Sequence, residues 1–327
     1  MYNILFISPI SIAGTLIIKG LAKGFQQCGN NILILDVREL DFQVIKNFNP
    51  DFAIGYDYAH FVIPQAQKTI KEFDIPIIHY FADAPNSNFA HSGNLELFKI
   101  LNDSGNIVFC WDKQYLSLFS DKASYLPLGI NPDLYSVNKI ILENPEKDIV
   151  FAGRPLTNRR LILLSEIVKN FPDKLEIYSY KKHFETSVEE MEKMDLLASD
   201  ALESYKNSYR GFLETERDLA KVYANSKIVL NITMDQGLSS MNYRVFEVLA
   251  TGAFLLTDYK KDTADYFSEK EELVFYRNKE ELIKNILEYL KNDSERIRIS
   301  KNGKDKVLKY HTFKQRANKI LENISFN

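Results

Sequence analysis

A chain of 327 residues that is 45% hydrophobic can fill two cores, and its composition is far from that of a disordered segment. A net charge of −3 removes the electrostatic case for nucleic acid as a partner. The two cysteines, Cys28 and Cys110, have neither metal nor redox spacing and read as packing residues in a reducing compartment.

Asn3 to Ile7 predicts a short strand, and the loop Ser8 to Thr15 leads into a helix through Phe25. The apolar start, Met1 to Ile18, lacks a basic leading region, is interrupted by Pro9 and precedes no small-residue cleavage site. No signal peptide is therefore expected, no other stretch reaches the length of a membrane span, and a cytoplasmic location follows. Peripheral membrane contact stays open. Gly29 breaks the first helix before a strand over Ile32 to Leu35 that ends in Asp36. Only Gly14 falls in the first loop, so G-x-G-x-x-G is absent and no nicotinamide or flavin site is expected. Further strands fit Asp51 to Gly55, Pro76 to Phe81, Asn106 to Cys110 and Ser124 to Leu126, alternating with helical stretches as in a parallel sheet. Their carboxyl ends carry Asp57, His60, His79, Asp83, Trp111 and Asp112.

Pro127, Gly129 and Pro132 punctuate the chain, and the polar stretch Tyr135 to Lys147 reads as a linker. Asp148 to Ala152 is a strand followed by Gly153-Arg154-Pro155, where a small residue lets the backbone approach a pyrophosphate and an arginine neutralises it. Arg159 and Arg160 open the next helix and read as solvated charges. The strand Leu175 to Ser179 brings Tyr178 and Tyr180 near its end, as packing or base-stacking groups. Lys181 to Arg210 is charged and helix-leaning, and reads as an inserted, solvated helical hairpin.

The most informative stretch is Lys227 to Asp258. An apolar run, Ile228 to Ile232, has the character of a strand buried on both faces. A Gly- and Ser-containing loop follows, then a helix from about Met241 to Ala250 that Gly252 stops, then a second apolar run, Ala253 to Leu256. Val245, Phe246, Leu249 and Ala250 share one helix face for the sheet, and Tyr243 and Glu247 lie opposite with Arg244 beside them. The loop thus delivers helix N–H groups and Arg244 to the carboxyl end of a sheet, where α/β folds bind phosphate. Glu247, one turn on, is positioned to accept hydrogen bonds from sugar or ribose hydroxyls. The alternative is an ordinary Arg244–Glu247 surface pair. A strand over Leu273 to Tyr276 and amphipathic helices from Lys279 complete the chain.

Asn242-x-Arg244-x-Phe246-Glu247, followed by Ala250-x-Gly252-x-Phe254 through Tyr259, resembles the signature of CgeB-type (spore-maturation-like) glycosyltransferases of the GT-B fold. The likeness is close over Lys227 to Tyr259 and loose over the rest. It implies an α/β protein of two Rossmann-like domains facing across a cleft, with a C-terminal helix, Thr312 to Ile324, crossing back to the first. The expected division is an acceptor domain over 1–140, a nucleotide-sugar donor domain over 141–310 and the returning helix over 311–327, with Tyr125 to Pro132 as the hinge. Donor-binding residues would be Gly14, Gly153, Arg154, Asn242, Tyr243, Arg244 and Glu247. Similar retaining families carry a second glutamate eight positions before the first; here that position is Ser239.

The acceptor's general base has to come from the first domain. Asp83, between a strand and Pro85, is the first candidate and His60 the second; Asp83 as a turn cap is an equal reading. No Asp-x-Asp pair and no His- or Cys-rich cluster occurs in the chain, so metal and cofactor are both expected to be absent. The expected activity is bacterial: transfer of a sugar from a UDP-, GDP- or dTDP-linked donor to a glycan, protein or lipid-linked acceptor. A nucleotide-sugar epimerase and a non-catalytic nucleotide-sugar-binding protein are the alternatives.

Overall fold

A computed structural model of the chain describes residues 1–57, 63–73, 75–84, 107–119, 123–137, 144–235 and 237–324. Six strands, β1 (Asn3–Ser8), β2 (Asn31–Asp36), β3 (Phe52–Tyr56), β4 (Ile77–Phe81), β5 (Ile107–Cys110) and β6 (Ala123–Tyr125), form the first sheet. Its order is β2-β1-β3-β4-β5-β6 and every pair is parallel. The second sheet contains β7 (Lys147–Ala152), β8 (Leu175–Tyr178), β9 (Tyr209–Gly211), β10 (Ser226–Asn231), β11 (Leu255–Asp258) and β12 (Val274–Tyr276). Its order is β12-β11-β10-β7-β8-β9, again all parallel.

Each sheet reverses direction of growth once, at β1/β3 and at β7/β10. Loops leave in opposite directions there, so a crevice opens at the carboxyl ends of those strands. The central strands β3 and β4 are buried along their whole length, which is why they read as unbroken apolar runs.

Two expectations shift. The run Lys181 to Arg210 is not a solvated insertion. Its helices, Lys181–Lys193 and Ser199–Asn207, bury Phe184, Met191 and Tyr205, and Tyr209–Gly211 then supplies the edge strand β9. Apolar side chains at helical spacing outweigh the high average charge. The strand expected at 253–256 runs instead from Leu255 to Asp258, so Asp258 is buried inside it.

The last helix, Phe313–Asn323, returns to the first domain and lies on its first helix, Ile12–Gln27. The contact is close because Gly20 and Gly24, one turn apart, face Phe313; a Cβ at either would run into its ring or its backbone. Phe313 N–H donates to the Ile130 carbonyl and Ile130 N–H to the His311 carbonyl, both at 3.0 Å. Arg316, buried, donates to the carbonyls of Pro127 and Leu128 at 2.8 and 3.0 Å and meets His311 Nδ1 at 2.7 Å. One apolar core continues through this joint, from Phe6 and Ile54 by way of Leu128 and Tyr135 to Val245 and Phe246.

Candidate active site

The second sheet's crevice is built from the ends of β7 and β10. After β7 the chain turns at Gly153 with φ +144°, a conformation L side chains rarely adopt. A Cβ there would sit 2.6 Å from Arg244 Nη2, so the glycine both makes the turn and admits the guanidinium. Arg244 stands in the first turn of the helix Tyr243–Thr251, which ends at Gly252 in the left-handed region. Its Nη1 donates to Asn231 Oδ1 at 3.2 Å and its Nε to the Tyr223 hydroxyl at 3.4 Å. Both partners are neutral, and the guanidinium lies 5.5 Å from the Phe151 ring centre.

Asn231, at the end of β10, organises this corner. It exchanges two amide hydrogen bonds of 2.9 Å with Asn242 and donates to Thr257 at 3.0 Å. Asn242 precedes the helix without capping it through its side chain. Beside Arg244 lies a second guanidinium. Arg160 is 4% exposed and donates to the carbonyls of Ile232 and Arg154. Burial, and then Arg244, push its pKa down to about 9. Arg159 pairs with the buried Asp258 at 2.8 Å, and Asp258 also receives the N–H and hydroxyl of Thr233. Arg159 and Arg160 are therefore structural parts of the crevice, not solvated helix charges. Arg154 is exposed at its rim.

Glu247 turns the other way. It is 9% exposed and accepts a hydrogen bond of 2.8 Å from the Tyr135 hydroxyl. Burial raises its pKa, opposed by Arg244 and by that bond. Tyr243 packs near Tyr135 and toward Phe313 of the last helix. The helix face expected to meet the donor is covered at Glu247 by Tyr135, the first residue of the expected linker, and every residue from Val245 to Thr251 is buried.

The first sheet's crevice is acidic. Asp57 follows β3 with φ +47° and accepts the Ala82 N–H at 3.0 Å. Burial, then the neighbouring Asp83, raise its pKa well above the ordinary carboxylate range. The Tyr56 hydroxyl bonds Asp83, which is half-buried after β4. Gly14 belongs to this group; its neighbours are Pro9, Ser11 and Tyr56, and its N–H donates to Ser11 Oγ at 3.2 Å. His60 lies outside the described residues.

The two crevices meet along a seam. Asp112, after β5, accepts the Ser239 hydroxyl and N–H at 2.8 and 3.0 Å. At Ser239, where similar families hold a glutamate, this chain brings in a carboxylate from the other domain.

Residues 167–322, just under half of the chain, match the family described as Glycosyl transferase-like. No curated protein matches the chain in sequence. Among solved structures, Anabaena HepE in complex with UDP and glucose superposes with a TM-score of 0.72 at 12% identity, covering 98% of this chain and 99% of that one. A glycosyltransferase from Rickettsia africae gives a TM-score of 0.69 at 14% identity over 98% and 96%. The sucrose-phosphate synthase of Thermosynechococcus elongatus gives 0.70 at 12% identity over 98% and 97%. The chain has the GT-B fold, and its second half carries a glycosyl transferase-like domain.

Within this fold the structure brings together Gly153, Arg154, Asn242 and Arg244 on the second domain, and Gly14 with Asp83 on the first. Sequence reasoning passed over Arg160, Asn231, Asp57 and Asp112 as site residues. Asp57 and Asp112 carried a signal, since both stand at carboxyl ends of buried strands. Arg160 and Asn231 carried none, because only packing turns them toward Arg244. Among the described residues no group of three or more His, Cys, Asp and Glu could hold a metal ion, and no helix is long and apolar enough to cross a membrane.

Proposed function

We propose that the protein is a glycosyltransferase that moves a sugar from a nucleotide-diphosphate sugar to an acceptor hydroxyl, without a metal ion, in the cytoplasm during bacterial surface glycan or glycoprotein synthesis. The observation that carries the reading is Arg244: a guanidinium whose hydrogen-bond partners among the described residues are neutral, against the Cα of Gly153, at the switch point of the sheet. Arg160 behind it adds a second positive charge held by carbonyl oxygens. A diphosphate supplies the missing negative charge, and the same groups stabilise it as a leaving group.

In this reading Gly153, Arg154, Asn242 and Arg244 take the diphosphate, while Glu247, expected from the sequence to meet the sugar or ribose, is buried against Tyr135 and holds the helix beside the site. Tyr180 and Phe212, both half exposed and stacked at 3.8 Å between ring centres, offer a platform for the base. Asp83 takes the acceptor's proton, and direct displacement of the diphosphate by that acceptor oxygen inverts the anomeric centre. HepE holds UDP and glucose, which makes UDP the first donor nucleotide to try.

The test is a thermal-shift screen with UDP, GDP, CDP and dTDP and their sugars, with and without EDTA. The expected result is a stabilisation by one nucleotide that EDTA leaves unchanged and Arg244→Ala removes. A shift that EDTA abolishes would overturn metal independence, and no shift with any of the four would overturn the donor site.

A further inference from the structure

Asp112 belongs to the first domain, yet it holds a loop of the second. Its Oδ1 accepts the Ser239 hydroxyl at 2.8 Å, and its Oδ2 accepts the N–H groups of Ser239 and Ser240 at 3.0 and 3.2 Å. The Gln114 N–H at 2.9 Å completes the set. The side chain has no exposure to solvent. A buried carboxylate persists only where hydrogen bonds replace its water, and here most of those bonds cross the domain boundary.

Among the described residues of the loop between β10 and the Tyr243–Thr251 helix, the internal backbone bond is Gly237 N–H to the Met234 carbonyl, 3.2 Å. The loop's other anchors are external: Lys260 Nζ on the Gly237 carbonyl at 2.5 Å and the Asp262 N–H on the Ser239 carbonyl at 2.9 Å. The neighbours of Asp112 dock on the same region. Trp111 lies under Gly237, where a Cβ would come within 3.1 Å of its ring, and Lys113 pairs with Asp265 at 2.6 Å. Ser240 stands one helical turn before Arg244. Whatever fixes Ser240 therefore fixes how the helix starts and where Arg244 meets Gly153.

We propose that Asp112 is a positioning residue of the donor site: by gripping Ser239 and Ser240 it gives the loop its site-forming shape only when the first domain is closed on the second. The proposal rests on the donor-site reading above, and it goes beyond it by making nucleotide binding depend on a residue of the opposite domain. The Ser240 hydroxyl, buried and without a hydrogen-bond partner among the described residues, is a further group whose place this grip sets.

Two readouts on the full chain test it, hydrogen exchange followed by mass spectrometry and UDP calorimetry, for wild type, Asp112→Asn, Ser239→Ala and the double variant. An asparagine turns an amide N–H toward the two loop N–H groups in place of an oxygen. Asp112→Asn should speed exchange over residues 237–242 while leaving the β7 and β8 amides unchanged, and should weaken UDP about tenfold. Ser239→Ala, which leaves the first domain untouched, should weaken UDP roughly threefold, and the double variant should be no worse than Asp112→Asn. Unchanged exchange with wild-type affinity, or strictly additive losses, would overturn the proposal. If Asp112→Asn melts early, the same loop-confined exchange and loss of affinity in Ser239→Ala decide it. If wild type binds none of the four nucleotides, the donor-site reading falls, and exchange alone decides whether Asp112 grips the loop.

Discussion

The two crevices have one architecture and opposite chemistry. Both lie at the carboxyl ends of strands where a parallel sheet reverses its growth. The first gathers Asp57 and Asp83 around Tyr56; the second gathers Arg160 and Arg244 around Gly153. A diphosphate at the first would face two carboxyl groups, and at the second the carboxylate of Asp258 is already held by Arg159 and Thr233. The fold provides the place, and the side chains divide the chemistry between its two copies.

Removing the proposed base is the severest way to break this division. Asp83→Asn should lower kcat by about a thousandfold while UDP affinity stays within about twofold, measured by steady-state kinetics and calorimetry. Turnover within about tenfold of wild type would leave Asp83 a turn cap and open a retaining route. On the opposite side, Arg244→Ala should weaken UDP by about a hundredfold without lowering the melting temperature, since its hydrogen-bond partners among the described residues are neutral and Asn231 keeps its bonds to Asn242 and Thr257. Wild-type affinity in that variant would put the diphosphate elsewhere.

Two smaller effects sharpen the comparison through pH. The raised pKa of Asp57 means that the folded state holds its proton above the unfolded value, about 3.9. Its contribution is complete below that pH and declines as pH rises, so Asp57→Asn should raise the melting temperature at pH 7 by a few degrees and flatten the decline. His311 behaves oppositely. Burial, then Arg316 and Lys306, bring its pKa down to about 3, so its contribution is complete above about pH 6.5 and is lost as pH falls toward 3. His311→Asn, which keeps an acceptor for Arg316, should flatten that acid limb in melts from pH 7 to pH 4. A limb as steep as wild type would assign the acid sensitivity to other groups.

Much of the fold was legible because parallel strands covered on both faces are written as unbroken apolar runs. β3, β4 and β10 could be read that way, and so could the helix stop at Gly252. β9 could not, because a three-residue edge strand, Tyr-Arg-Gly, buries too little to leave a pattern. Arg244 and Gly153 were legible as separate motifs 91 residues apart, each following a buried strand; their contact was not.

What the sequence by itself determined is local: which segments are strands, where helices start and stop, and which polar residues stand at the carboxyl ends of buried strands. The tertiary structure alone decided which of those ends face each other. The pairing of β3 with β4 sets Asp57 beside Asp83, and the packing of the Asn158–Asn170 helix turns Arg160 inward. The closing of one domain on the other sets Asp112 against Ser239 and Tyr135 against Glu247. Periodicity reports on neighbours within a turn or along a strand. A carboxylate that reaches across 127 residues leaves no periodic trace, because its partner is chosen by how two finished surfaces fit.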